Sequence, residues 1–138
     1  MVQFLAGSKG EGKTQQIIGM ANEKVQATDG NLVFIDDDIR HSRDVHRDIR
    51  FVATGKGRLS SCQGLTYFIW GMLTQNSDIK HIYVDGLTNI VREEVCDEKL
   101  VKFKNKLVKF SEEFNLDFTV TMHSEKDSLP DEIKALVI

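Results

Sequence analysis

The residues with the clearest chemistry stand near the start of the chain, at Gly7-Ser8-Lys9-Gly10-Glu11-Gly12-Lys13-Thr14. They fit the pattern G-x-x-x-x-G-K-[ST], whose spacing suits a polyphosphate. Gly7, Gly10 and Gly12 let the backbone curl so that successive N–H groups face phosphate oxygens. Lys13 is then placed to reach the β- and γ-phosphates, and the Thr14 hydroxyl to hold Mg²⁺. Such a site needs a further carboxylate at the end of an apolar strand. Two aspartates qualify: Asp85, after Ile82-Tyr83-Val84 and before Gly86, and Asp36, after Leu32-Val33-Phe34-Ile35. An ordinary tight turn that binds nothing is the competing reading of the glycines. The setting argues against it, because a strand-like run (Val2, Phe4, Leu5, Ala6) precedes the loop and a helical pattern follows it.

The elements that must position these groups are legible in the apolar periodicity. Ile17, Ala21 and Val25, with Ile18 beside them, form one face of a helix expected from about Lys13 to Ala27. Leu32 to Ile35 reads as a strand buried on both faces, ending in Asp36-Asp37-Asp38. Asp37, Asp38 and Asp36 are expected to form a solvated acidic strand end. Arg40 to Arg50 reads as a solvated loop with weak local ion pairs, and Arg50 to Thr54 as a short strand. Ser60 or Ser61 caps a helix whose face carries Leu65, Phe68, Ile69, Met72 and Leu73. Tyr67 and Trp70 are expected to pack with that face. His81 to Gly86 is the next strand, and Glu93 to Asn115 the longest helix, with Leu100, Phe103, Leu107, Phe110 and Phe114 as its stripe. Glu93 and Glu94 fall in its first turn, where the helix dipole favours acids. The lysines Lys99, Lys102, Lys104, Lys106 and Lys109 form its wet face. Phe118 to Met122 is a strand, Leu129 to Lys134 a helical turn, and Ala135 to Ile138 a final strand.

Strands and helices thus alternate, which predicts an α/β fold: a three-layer α/β/α sandwich around a mainly parallel sheet of about five strands. Ligands of such sheets sit at the carboxyl ends of the strands. Those ends are Gly7, Asp36, Asp85 and Thr121 to Ser124. The 138 residues form one domain, 1–138. A hydrophobic share of 41% with 28% charged residues fits a globular chain, and a net charge of −3 gives no field that favours nucleic acid or acidic lipid. No apolar run reaches membrane-spanning length. A signal peptide is not expected, since the glycine-rich loop begins at residue 7. Cys62 and Cys96 are isolated, so neither a disulfide framework nor a zinc pattern is present, and a reducing cytoplasm is the expected compartment.

The octet from Gly7 to Thr14 resembles the Walker A motif of P-loop NTPases. The chain is also similar to small Firmicutes-type P-loop proteins labelled ATP-binding or "twitching motility PilT"-like. That similarity rests on Gly64-Leu65-Thr66-Tyr67-Phe68-Ile69-Trp70-Gly71, Asp78 to Asp85 and Leu129-Pro130-Asp131-Glu132-Ile133-Lys134, as well as the octet. The resemblance implies a P-loop fold and nucleotide binding, without naming a reaction. In the RecA-like and AAA-like groups one strand separates the P-loop strand from the Walker B strand, and this favours Asp85 over Asp36 as the metal-side carboxylate. These groups also place a water-activating glutamate near Walker B, but here Gly86-Leu87-Thr88 follows Asp85. Glu11 is nearer and is expected to point outward. A polar residue after the next strand senses the γ-phosphate in these groups. Thr121, His123 or Ser124 stands there, and ordinary strand-end polarity explains them equally well.

The resulting expectation is a protein that binds Mg²⁺ and a nucleotide, ATP ahead of other NTPs. Hydrolysis would be slow or activated by a protein partner or self-association. Two alternatives stand beside it. One is a nucleoside or small-molecule kinase, faintly suggested by the run from Leu32 to Arg40. The other is a non-catalytic nucleotide-responsive module, favoured by the missing glutamate.

Overall fold

The computed structural model describes residues 1–138. Its elements are β1 (Val2–Ala6), α1 (Lys13–Val25), β2 (Asn31–Asp36), β3 (Arg50–Ala53), α2 (Cys62–Gln75), β4 (Ile79–Val84), α3 (Leu87–Val91), α4 (Asp97–Phe114), β5 (Asp117–Met122) and α5 (Asp131–Lys134). The five strands form one sheet in the order β1-β5-β4-β2-β3. Every pairing is parallel. Strand β5 therefore lies between β1, which runs into the glycine-rich loop, and β4, which runs into Asp85. One strand thus stands between the two, as expected from the sequence.

Alternation along the strands sorts the side chains into two layers. Leu5, Leu32, Phe34 and Tyr83 pack under Ile17, Ile18 and Ala21 of α1, joined by Val45 and Ile49. Phe4, Val33, Ile35, Ile82, Val84, Phe118 and Val120 face the other way, against α2, α3, α4 and α5. Both faces of the sheet are thus covered, as an all-parallel sheet requires, and the fold is a three-layer α/β/α sandwich. No helix is long and apolar enough to cross a membrane.

Several expectations need correction. The helix expected from Glu93 begins at Asp97, and a separate short helix, α3, precedes it. Arg92 adopts a left-handed conformation (φ 56°) that ends α3, so Glu93 to Cys96 is a connector. Helix α1 stops at Val25, short of Ala27. The final strand reduces to one bridge, Phe4 to Val137, with Ile138 donating to the Phe4 carbonyl at 3.0 Å. The polar stretch after Asp38 is a series of turns, and Val45 and Ile49 pin it to the sheet. Ser61, not Ser60, caps α2: its Oγ accepts from the Gly64 N–H at 2.9 Å.

Candidate functional site

The carboxyl edge of the sheet gathers the polar residues. Gly10 and Gly12 hold positive φ angles of 90° and 82°, which a side chain at either position would resist. Gly12 occupies the N-cap of α1, so the loop delivers its backbone directly to the helix start. Lys13 is buried, and its Nζ donates to the carbonyls of Gly7 at 2.9 Å and Ser8 at 2.7 Å. The ammonium therefore folds back over the concave side of the loop. Ser8 Oγ also hydrogen-bonds the Glu125 carboxylate from the segment after β5. Glu11 does not simply point away: a Cβ on Gly7 would lie 2.5 Å from its Oε2, so its carboxylate arches over the loop start.

Asp85 follows β4 and is buried. Its N–H donates to the Ile35 carbonyl at 2.9 Å, which ties the residue to β2. Thr121 Oγ1 donates to Asp85 Oδ1 at 2.7 Å and accepts from the Gly86 N–H at 2.7 Å. Thr14 Oγ1 lies 3.4 Å from the same carboxylate oxygen. Thr14 on α1 and the aspartate after β4, 71 positions apart, thus meet at one point.

Asp36 differs from its expected role as a solvated strand end. It is only 4% exposed. Its Oδ1 accepts from the Asp37 N–H at 2.7 Å, while its Oδ2 is buried with no partner. Burial pushes its pKa well above the usual carboxylate range; the Asp37 side chain and the charges of Asp85 and Asp37 add to the rise, and the Asp37 N–H opposes it. Asp37 is held from outside by Arg92 at 3.9 Å. The oxygens of Asp36, Asp37 and Asp38 lie close enough together to share a cation.

His123 faces the same edge. Burial, then the charge of Lys13, lowers its pKa below the ordinary histidine value, and its Nδ1 is buried without a partner. Ser124, next in the chain, is half-buried.

Of the residues singled out by sequence, the structure brings Gly7 to Thr14, Asp36, Asp85, Thr121 and His123 to one edge. It leaves Glu93 elsewhere: that carboxylate lies 3.7 Å from Lys99 and accepts from the Cys62 N–H at 3.4 Å. Sequence reasoning missed the grip of Thr121 on Asp85 and the contact of Glu125 with Ser8. The first was within reach. Asp85 and Thr121 continue the two-residue repeat that puts Tyr83 and Thr119 on the α1 side of the sheet. Comparison with known protein families finds no match, and comparison with curated proteins finds none either.

Proposed function

We propose that this chain is a P-loop protein that binds Mg²⁺ with a nucleotide, ATP ahead of other NTPs, and hydrolyses it slowly or with help from a partner protein or a second copy. One observation carries the reading. A glycine-rich loop ending at the N-terminus of a 13-residue helix, with a buried lysine curled over it, converges on an aspartate held by two threonines. Backbone N–H groups, a helix dipole and an ammonium on one concave surface suit a polyphosphate.

The residues fit Mg²⁺. The Thr14 hydroxyl and the Asp85 carboxylate are hard oxygen donors of the kind the ion prefers, and Asp36 offers a buried oxygen with no protein partner. When bound, the ion would neutralise charge on the phosphate oxygens. Lys13 would leave the Gly7 and Ser8 carbonyls for the β- and γ-phosphates. Thr121 would keep Asp85 oriented while the loop adjusts. Asp36 stands beside Asp85 on the neighbouring strand, and its carboxyl, which burial keeps largely neutral, is the group we assign to orient the attacking water by hydrogen bonding. Its position supports hydrolysis over a purely non-catalytic module. The unpaired Cys62 and Cys96 support a reducing, cytoplasmic setting. The resemblance to small Firmicutes-type P-loop proteins agrees with this reading.

The test is calorimetric titration of wild type and Lys13→Ala with Mg-ATP and Mg-GTP, followed by phosphate release with and without a panel of nucleosides. Wild type should bind Mg-ATP, and Lys13→Ala should lose at least about tenfold in affinity, since charge-assisted bonds to phosphate are the strong ones. Absence of nucleotide binding in wild type defeats the proposal. Binding without phosphate release leaves a nucleotide-responsive module, and turnover only with an added nucleoside means a kinase.

A further inference from the structure

A groove of about 760 Å³ runs between α2 and α4, on the sheet face opposite α1. It shares no residue with the carboxyl edge. Its α2 wall presents Tyr67 and Trp70, which are 64% and 49% exposed. This corrects the expectation that both rings pack into the core. Leu65, Ile69 and Leu73 fill that role, and the two rings fall on the other side of the helix. The floor is apolar, with Phe103 and Phe110 buried beneath it.

The α4 wall carries Lys99, Lys102 and Lys106. Their spacings of three and four put one ammonium on each successive turn of a single helix face. Two of them make only long ion pairs, Lys99 to a largely buried Glu93 and Lys102 to an exposed Glu98, each at 3.7 Å. Such pairs are worth little and exchange readily. Glu93 also lines the groove, but Lys99 and the Cys62 N–H already occupy it. These lysines are exposed, as expected of the wet face, and they also line the groove, in contrast to Lys104, which pairs with Glu132 at 3.5 Å.

We propose that this groove docks an acidic amphipathic helix of a partner protein. Charge complementarity selects the occupant. A helix with carboxylates at one-turn spacing matches the lysine row, and its apolar side chains meet Trp70, Tyr67 and the phenylalanine floor. Exposed aromatic rings beside an apolar floor are the usual anchors of such an interface. Nucleic acid matches less well, because it offers no apolar face for the floor. The proposal does not depend on nucleotide binding.

Trp70 is the only tryptophan in the chain, so its fluorescence reports on the groove directly. The full chain is titrated with a synthetic amphipathic helix of roughly 18 residues, five turns, bearing leucines on one face and flanking glutamates. A matched peptide with lysines for glutamates and a thymidine oligonucleotide are titrated in parallel. The glutamate peptide should shift and quench Trp70 emission saturably. The exposed double substitution Lys102→Glu, Lys106→Glu should weaken it by about tenfold or more, with circular dichroism unchanged. An equal response to the lysine peptide, a stronger one to the oligonucleotide, or none to the glutamate peptide at millimolar concentration overturns the proposal. So does a concentration-dependent dimer that already shields Trp70.

Discussion

Strand β4 carries His81 near its start and runs into Asp85, and β5 meets each with a threonine. At the amino end, His81 Nε2 lies 2.8 Å from Thr119 Oγ1. At the carboxyl end, Thr121 Oγ1 donates to Asp85 Oδ1 at 2.7 Å. The local chemistry is similar, but the surroundings are not. His81 is sealed in: it stacks on Tyr83 with ring centroids 4.0 Å apart, and Gln3 donates to the same threonine at 3.0 Å. Asp85 is packed among groups that do not satisfy one another, with Asp36 beside it and Lys13 parked on carbonyl oxygens. The amino end leaves a single buried atom, His81 Nδ1, without a partner. The other is left with charges and orphaned atoms that a ligand would complete, at a local cost in stability.

Acid and base should separate the two ends. Burial lowers the His81 pKa from 6.5 to about 4. The folded protein therefore disfavours the imidazolium. Stability from this group is intact above pH 6.5, falls as the pH drops toward 4, and is then fully lost. The size is about 3 kcal/mol. Asp36 has the opposite sign. Its raised pKa means that the folded state favours the neutral acid, so its contribution is full below pH 3.8 and declines as pH rises through its folded value. Urea unfolding of wild type and His81→Phe between pH 7 and pH 4 isolates the first effect. The wild-type curve should lose about 3 kcal/mol more than the variant over that window. Parallel curves would mean that His81 is not sealed.

The second break point is Asp85→Asn. Removing this charge relieves Asp36, so the free protein should melt at an unchanged or higher temperature. The gain from Mg-ATP should vanish. At a nucleotide concentration about a hundredfold above Kd, that gain is about 2.7 kcal/mol in wild type. A variant that keeps the full gain would remove Asp85 from the nucleotide reading, whatever its effect on the free chain.

The sequence carried much of this arrangement, for identifiable reasons. Strands such as Leu32 to Ile35 were visible because burial on both faces leaves an uninterrupted apolar run, and β5 announced itself through Phe118, Val120 and Met122. The octet was visible because its conformation demands glycine at Gly10 and Gly12. What escaped depended on packing between distant segments. Helix α3 has five residues, too few to show a period, and Arg92 ends it without the glycine that usually marks such a stop. The burial of Asp36 is set by the neighbouring strands β3 and β4, neither of which can be read from three consecutive aspartates. The exposure of Trp70 follows from which side α4 approaches α2, and both sides of α2 carry apolar residues.

The subtlest distinction lies between the two threonines. Thr119→Val and Thr121→Val are equal in shape, and each removes one buried hydroxyl. Losing a buried hydrogen-bond partner costs about 1–3 kcal/mol, so both variants should be destabilised by similar amounts in urea. Their ligand responses should diverge. Thr119→Val strips a partner from His81 and Gln3 only, and leaves the carboxyl edge as it was. Thr121→Val frees the Asp85 carboxylate and leaves the Gly86 N–H without its acceptor. Asp85 then keeps only the longer contact with Thr14, at 3.4 Å. Mg-ATP affinity should fall several-fold in Thr121→Val, by about 1 kcal/mol, and stay at the wild-type value in Thr119→Val. Equal affinities in the two variants would mean that Thr121 serves the fold alone, and the contrast between the ends of β4 would then rest on Asp36 and Lys13.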